Sequence, residues 1–334
     1  MGNVQTAKNG GVMTFLKKNI SLAAFIVLFV LFTFTTKSKF LTADNLLTIL
    51  GSSIVLLICS LGGTFIILLG SIDLSTGSMI SLCGVIAAKL YVFIEDLNAA
   101  GTLHMGTAGS LMVAILGAVG VSLVAYLLMG LTHAFMKIPT FIVSLGMLSI
   151  ARATVTMVSG GKITMIPFES PFVKYLGARP WILILGLLIF LVIWMIERFT
   201  LFGRYTRLIG GDETVARLSG IRVSRQKILV FLFAGVLTAI GGLVMAARIG
   251  SGSPSVGQGY ELNVISAVVL GGTSQRGGIG GVKGTLIGAV TLTMLANGLV
   301  LWGMPNEIQL LIKGLIVILA VYISLERTPN MVIK

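Results

Sequence analysis

Gly210-Gly211-Asp212-Glu213-Thr214-Val215-Ala216-Arg217-Leu218-Ser219-Gly220-Ile221 is a compact, charged segment between two long apolar runs, near residues 180–197 and 228–246. Runs of that length need lipid around them, so the chain crosses a membrane on both sides of this polar island. A membrane protein that keeps a patterned loop outside the bilayer needs a use for it. Docking of a soluble partner is the most economical one.

Working outward, the 334 residues are 56% hydrophobic and 10% charged, with a mean hydropathy of +1.03. A soluble domain carries roughly 25% charged residues, so this chain cannot cover a water-facing surface. Each spanning helix takes about 20 apolar residues. Spans are predicted near residues 20–36, 46–70, 77–94, 108–131, 140–158, 180–197, 228–246, 261–275, 284–303 and 307–324. The fold class is therefore all-α, a polytopic transmembrane bundle of about ten spans. The eighth is short and ends in glycines, which suits a half-helix or re-entrant segment. The gaps at 95–107, 159–179 and 198–227 are too small for separate domains, so residues 1–334 form one transmembrane domain.

Charge sets the expected orientation. With residues 1–19 inside, inner segments hold fifteen Lys and Arg, seven of them between Arg198 and Lys227, against seven in outer segments. Arg152 and Lys313 fall within proposed spans, where snorkelling is the ordinary explanation. The bias predicts both termini inside and makes 198–227 a cytoplasmic loop. The net charge of +13 then reflects topology rather than nucleic acid. Lys17 and Lys18 precede an apolar run without an Ala-x-Ala site, so the first span is expected to stay uncleaved.

Cys59 and Cys83 lie in apolar runs and read as buried thiols, and His104 and His133 are too far apart to suggest a metal. No Gly-x-x-x-x-Gly-Lys-Ser/Thr loop is present, and Gly277-Gly278-Ile279-Gly280-Gly281-Val282-Lys283-Gly284 fits neither that pattern nor Gly-x-Gly-x-x-Gly. That cluster reads as a flexible turn between close-packed helices. No nucleophile–base set or carboxylate pair appears at a useful spacing, which argues against an enzyme.

Three further places carry polar groups where they are costly. Asp73, in Gly70-Ser71-Ile72-Asp73-Leu74-Ser75-Thr76-Gly77-Ser78, caps the next helix, lines a solute path with Ser75, or meets a partner. Gly257-Gln258-Gly259-Tyr260-Glu261-Leu262-Asn263 combines an interfacial aromatic with an acid that favours a helix start, or else forms an outer gate. Asn297 needs an interhelical hydrogen bond or a sugar hydroxyl. Ile66-Ile67-Leu68-Leu69-Gly70-Ser71 also echoes Val268-Val269-Leu270-Gly271-Gly272-Thr273, as a duplicated transporter half would.

Five segments in order resemble the permease subunits of bacterial monosaccharide ABC importers of the ribose and galactose type. They are Ile72–Ser75 with Gly77-Ser78, the segment Gly210–Ile221, Gly259–Leu262, Ala267–Ser274 and Gly284–Ala289, within residues 45–323. The resemblance implies a permease of the bacterial inner membrane, usually a homodimer. It also implies a cytoplasmic ABC ATPase that hydrolyses the ATP, a periplasmic sugar-binding protein and no cofactor of its own. The residues it implies for ATPase coupling are Gly211, Asp212, Glu213, Ala216, Arg217, Leu218, Ser219 and Gly220, with Leu218 entering a hydrophobic groove. Candidates for the translocation path are Asp73, Ser75, Tyr260, Glu261, Asn263 and Asn297. Few intramembrane charges suit a neutral pentose or hexose. The chain departs from broader importers, which carry Glu-Ala-Ala before a glycine. Here Glu213 is followed by Thr214-Val215, Gly220 comes one residue late, Asp212 replaces the usual Asn, and Gln275-Arg276 replaces small residues. An ion-coupled carrier using Asp73, a branched-chain amino acid permease and a membrane scaffold are the alternative readings.

Overall fold

A computed structural model describes residues 20–36, 39–305, 307–312, 314–316 and 318. In lipid every backbone N–H and C=O must find a partner within the chain, which makes helices of the apolar runs. They are α1 (Ile20–Thr35), α2 (Ala43–Leu68), α3 (Thr76–Ala99), α4 (Gly106–Met136) and α5 (Thr140–Ser159). After a two-residue strand β1 (Thr164–Met165) come α6 (Pro171–Leu176), α7 (Trp181–Phe199), α8 (Leu201–Gly211), α9 (Glu213–Leu218) and α10 (Val223–Ile249). A second short strand, β2 (Ser251–Gly252), then α11 (Tyr260–Leu270) and α12 (Val282–Leu301) follow. The strands pair antiparallel, Thr164 opposite Gly252.

Seven helices among the described residues, α2, α3, α4, α5, α7, α10 and α12, are long and apolar enough to cross a bilayer. The chain is thus an all-α, multi-pass bundle. The expected spans at 20–36 and 261–275 become shorter helices of 16 and 11 residues. Eleven residues rise about 16 Å, half of a ~30 Å hydrocarbon core. Of the span expected at 307–324, Lys313 and residues 317 and 319–324 lie outside the described residues, as do residues 1–19.

Helix α10 is central, packed against α2, α3 and α4. Small residues permit this: a Cβ on Gly62 of α2 would meet the backbone of Ala234 at 3.1 Å, and one on Gly84 of α3 the carbonyl of Gly242 at 3.1 Å. Close backbone approach replaces the hydrophobic drive that lipid removes between helices.

The repeat suggested by the sequence extends to backbone geometry. At the end of α2, Leu69, Gly70 and Ser71 donate to the carbonyls of Phe65, Ile67 and Ile66, at 3.1, 2.9 and 3.0 Å. At the end of α11, Gly271, Gly272 and Thr273 donate to Ala267, Val269 and Val268, at 2.9, 2.8 and 3.2 Å. Both ends turn through a left-handed glycine, φ +78° at Gly70 and +88° at Gly272, a stop that a side chain would strain. Ile67 packs with Val268 and Val269 in one buried cluster, so the two matching ends lie together.

Candidate functional site

The polar island folds into two helices joined by a cap. Asp212, in extended backbone, closes the start of α9: its Oδ1 accepts the amides of Thr214 at 2.8 Å and Val215 at 3.0 Å. At the other end Gly220 takes φ +80° and donates to Arg217 O at 3.1 Å, while Ile221 donates to Ala216 O at 3.2 Å. That left-handed turn is a glycine helix stop. Between the caps Ala216 is buried, whereas Leu218 is 84% exposed. Ser219 donates its hydroxyl back to Val215 O at 2.9 Å. The short helix therefore presents Leu218 and Arg217 outward on a rigid base.

That base is anchored to α10 twice. Gln226 donates to Phe202 O and Thr206 Oγ1, both at 2.9 Å, holding α8. Lys227 donates to Glu213 Oε2 at 2.8 Å, and Arg217 to Oε1 at 2.7 Å. The Lys227 bond foremost, helped by Arg217, holds the Glu213 carboxyl below its ordinary value of 4.5. The ionised carboxylate therefore contributes fully above the ordinary value, and its contribution is lost as pH falls through the lower folded value. Amide exchange over residues 213–219, corrected for intrinsic rates, is expected to be unchanged from pH 7 to 5 and to speed up only in more acid solution. Glu213→Gln should exchange faster at pH 7 and lose that acid step. Because Glu213 is partly exposed, the cost should be about 1 kcal/mol or less.

The island also rests on the membrane bundle itself. A Cβ on Gly210 would overlap the carbonyl oxygen of Leu68 and lie 2.8 Å from Gly278 N. Gly278 donates to that same Leu68 carbonyl at 2.9 Å. Three chain segments thus touch by backbone alone: the end of α8, the end of α2 and the Gly277–Gly281 turn. The turn is tied down rather than loose, with Ser274 donating to Ile279 O at 2.9 Å and Gly281 to Thr273 Oγ1 at 3.2 Å. Gly210 lies in the island but outside the coupling residues that the resemblance implies. Gly211 was a candidate, yet a Cβ there would meet nothing within 4 Å.

Glu197 went unnoticed in the sequence. It is buried at the end of α7, accepts from Arg207 at 2.6 Å, and takes the amide of Val282 at 3.1 Å. Its charge sits at the start of α12, where helix amides and dipole favour it. One carboxylate so ties α7, α8 and α12 together. An acid closing an apolar run, beside Arg198, was the available signal.

Asp73 lies 5% exposed, inside the bundle. Its Oδ1 accepts Ser75 N at 2.7 Å and Ser75 Oγ at 2.6 Å. Its Oδ2 accepts Thr76 Oγ1 at 2.8 Å and the Tyr126 hydroxyl at 2.7 Å. Tyr126 also meets Thr238 Oγ1 at 3.0 Å. The carboxylate thus forms the break between α2 and α3 and joins it to α4 and α10. Tyr126 and Thr238 sit in apolar helices with no sequence pattern to mark them.

The other path candidates separate. Tyr260 and Asn263 line a cavity of about 180 Å³ with Ser52, Leu56, Leu292, Thr293 and Ala296. Tyr260 therefore faces a space among α2, α11 and α12, not the outer interface. Glu261, in the first turn of α11, turns its Oε2 toward Gly77, buried and without a hydrogen-bond partner among the described residues. Asn297 donates to Asn45 Oδ1 at 2.9 Å, an interhelical bond that positions the start of α2.

Residues 45–321 match the family described as "Branched-chain amino acid transport system / permease component". The chain is 34% identical over 316 residues to the ribose import permease protein RbsC of Escherichia coli, spanning 91% of this chain and 92% of that one. It is 33% identical over 314 residues to RbsC of Bacillus subtilis, 92% and 93% of the two chains. It is also 30% identical over 373 residues to the xylose transport system permease protein XylH of Escherichia coli, 91% of each.

Proposed function

From the premise that the chain belongs to this family of ABC-importer permeases, in its monosaccharide branch, we propose that it carries a neutral monosaccharide of the ribose and xylose class inward by alternating access. It is a multi-pass inner-membrane transport subunit, not an enzyme. In this reading it has ten spans with both termini cytoplasmic and residues 1–334 as one domain, and it works as a pair of identical copies. A periplasmic sugar-binding protein supplies the solute, and two cytoplasmic ABC ATPases bind and hydrolyse the ATP, so the permease holds no cofactor.

One observation carries the reading: a capped helix, α9, that exposes Leu218 and follows directly on α8, whose Gly210 meets the end of α2 and the Gly277–Gly281 turn by backbone contact. An exposed leucine on a rigid stub suits a groove in a soluble partner. Closure of the ATPases would push α9 and α8 as one body. The push would reach Leu68 through Gly210 and α12 through Arg207 and Glu197. Packed helices of this kind move between discrete arrangements rather than bending. The sugar path runs by Tyr260 and Asn263, whose uncharged groups hold hydroxyls weakly enough to release them. Asn297 positions the start of α2, and Asp73 with Ser75 forms the hinge at the break before α3. A carboxylate saturated by four internal donors does not suit ion coupling, which removes the main support for that alternative.

Leu218→Asp is expected to abolish co-purification of the ATPase and lower ATP-driven uptake at least tenfold in reconstituted vesicles. Helical content should be unchanged, because the side chain touches little of its own fold. Wild-type ATPase association and uptake together would overturn the docking role.

A further inference from the structure

Beside the coupling segment a second cavity, of about 500 Å³, opens between the ends of α7 and α12 and the Gly280-Gly281 turn. Its charged lining is Glu197, Arg198, Arg207 and Lys283. Three cations against one carboxylate leave a formal excess of two positive charges. The carboxylate is already occupied, since Glu197 takes Arg207 and the Val282 amide. Among the described residues Arg198 and Lys283 form no ion pair, and both are exposed. Lys283 instead sits 4.8 Å from the centre of the Trp194 ring.

The approach to this cavity is apolar. Leu187, Leu191, Trp194 and Arg198 follow one another at helical spacing on α7, so they lie along one stripe. Leu187 is 58% exposed and Leu191 37%, on a helix apolar enough to span the bilayer. The stripe runs from the hydrocarbon depth to an interfacial tryptophan and then to the cations Arg198 and Lys283. That order matches an acyl chain, a glycerol region and a phosphate. Amphipathic rings favour the headgroup depth, and basic pockets between transmembrane helices take anionic headgroups.

We infer that this cavity is a binding site for an anionic phospholipid, with the phosphate between Arg198 and Lys283 and an acyl chain along Leu187 and Leu191. The inference stands apart from the transport role. A soluble phosphate ester would satisfy the cations but leave the stripe uncovered, so the lipid is the ligand.

Full-length protein in zwitterionic detergent is titrated with phosphatidylglycerol or phosphatidylcholine, and bound lipid is counted by native mass spectrometry. Phosphatidylglycerol should be retained in preference. Each near-surface cation contributes about fivefold, so Arg198→Gln with Lys283→Gln should weaken retention about 30-fold and each single change about fivefold. Lys174→Gln, on α6 and remote from this cavity, should leave it unchanged. The single variants keep the test valid if the double variant does not fold. Equal retention of the two lipids, wild-type retention by the single variants, or displacement by glycerol 3-phosphate would each overturn the site.

Discussion

Asp73→Leu is expected to be the most damaging single change in the bundle, costing about 3–5 kcal/mol. The estimate follows from what the carboxylate satisfies. Removing it orphans the Ser75 amide and the hydroxyls of Ser75, Thr76 and Tyr126 in a site without water access. Each buried orphan costs about 1–3 kcal/mol, less where another acceptor remains, as Thr238 does for Tyr126. Reduced yield of monodisperse protein and a large fall in the unfolding midpoint should follow. Asp73→Asn keeps one acceptor oxygen and offers an NH2 to hydroxyls that can accept instead, so it should be far milder in stability. A near-wild-type midpoint for the leucine variant would show that the network does not hold the break between α2 and α3. Loss of uptake in a fully stable asparagine variant would instead mark Asp73 as a transport residue.

A valine at Gly210 comes second, and its effect should fall on coupling rather than on folding. The new side chain overlaps the Leu68 carbonyl and crowds Gly278 N, both backbone atoms that cannot rotate away. Overpacking of this kind costs about 1–3 kcal/mol. The cheapest relief is displacement of the α8–α9 end from the bundle. ATP-driven uptake should fall at least tenfold while the transmembrane helices stay intact by circular dichroism. Gly211→Ala is the matched comparison, because its Cβ meets open space; uptake there should stay within about twofold. Equal behaviour of the two variants would refute backbone contact as the route from α9 to α2.

Legibility differed between places for reasons that follow from interaction range. The island itself was readable, because its charge and its glycines stand out between two apolar runs, while the caps at Asp212 and Gly220 act on amides and carbonyls within a few residues. The short eighth span was readable because its apolar run stops at Gly271-Gly272. Glu197 was not, because its partners Arg207 and Val282 come from α8 and α12. Nor were Tyr126 and Thr238, which look like ordinary members of apolar helices until the Tyr126 hydroxyl bridges Asp73 and Thr238. The six path candidates fell in four separate places, since polarity in a span marks a need for a partner and not which partner meets it.

The island at 210–221 shows where the division lies. Composition, spacing and charge alone determined a multi-pass helical membrane protein, a charged polar loop between two spans, and glycine-rich breaks near residues 70 and 272. These rest on transfer of side chains into lipid and on hydrogen bonds between near neighbours, which any chain of this order must obey. The tertiary structure decided which glycine matters, bringing Gly210, Leu68 and Gly278 together across more than two hundred residues of chain. It also decided that the loop is braced on α2 and α12. Backbone contact without side chains leaves no residue pattern to read, and only packing of the whole bundle brings those atoms into reach.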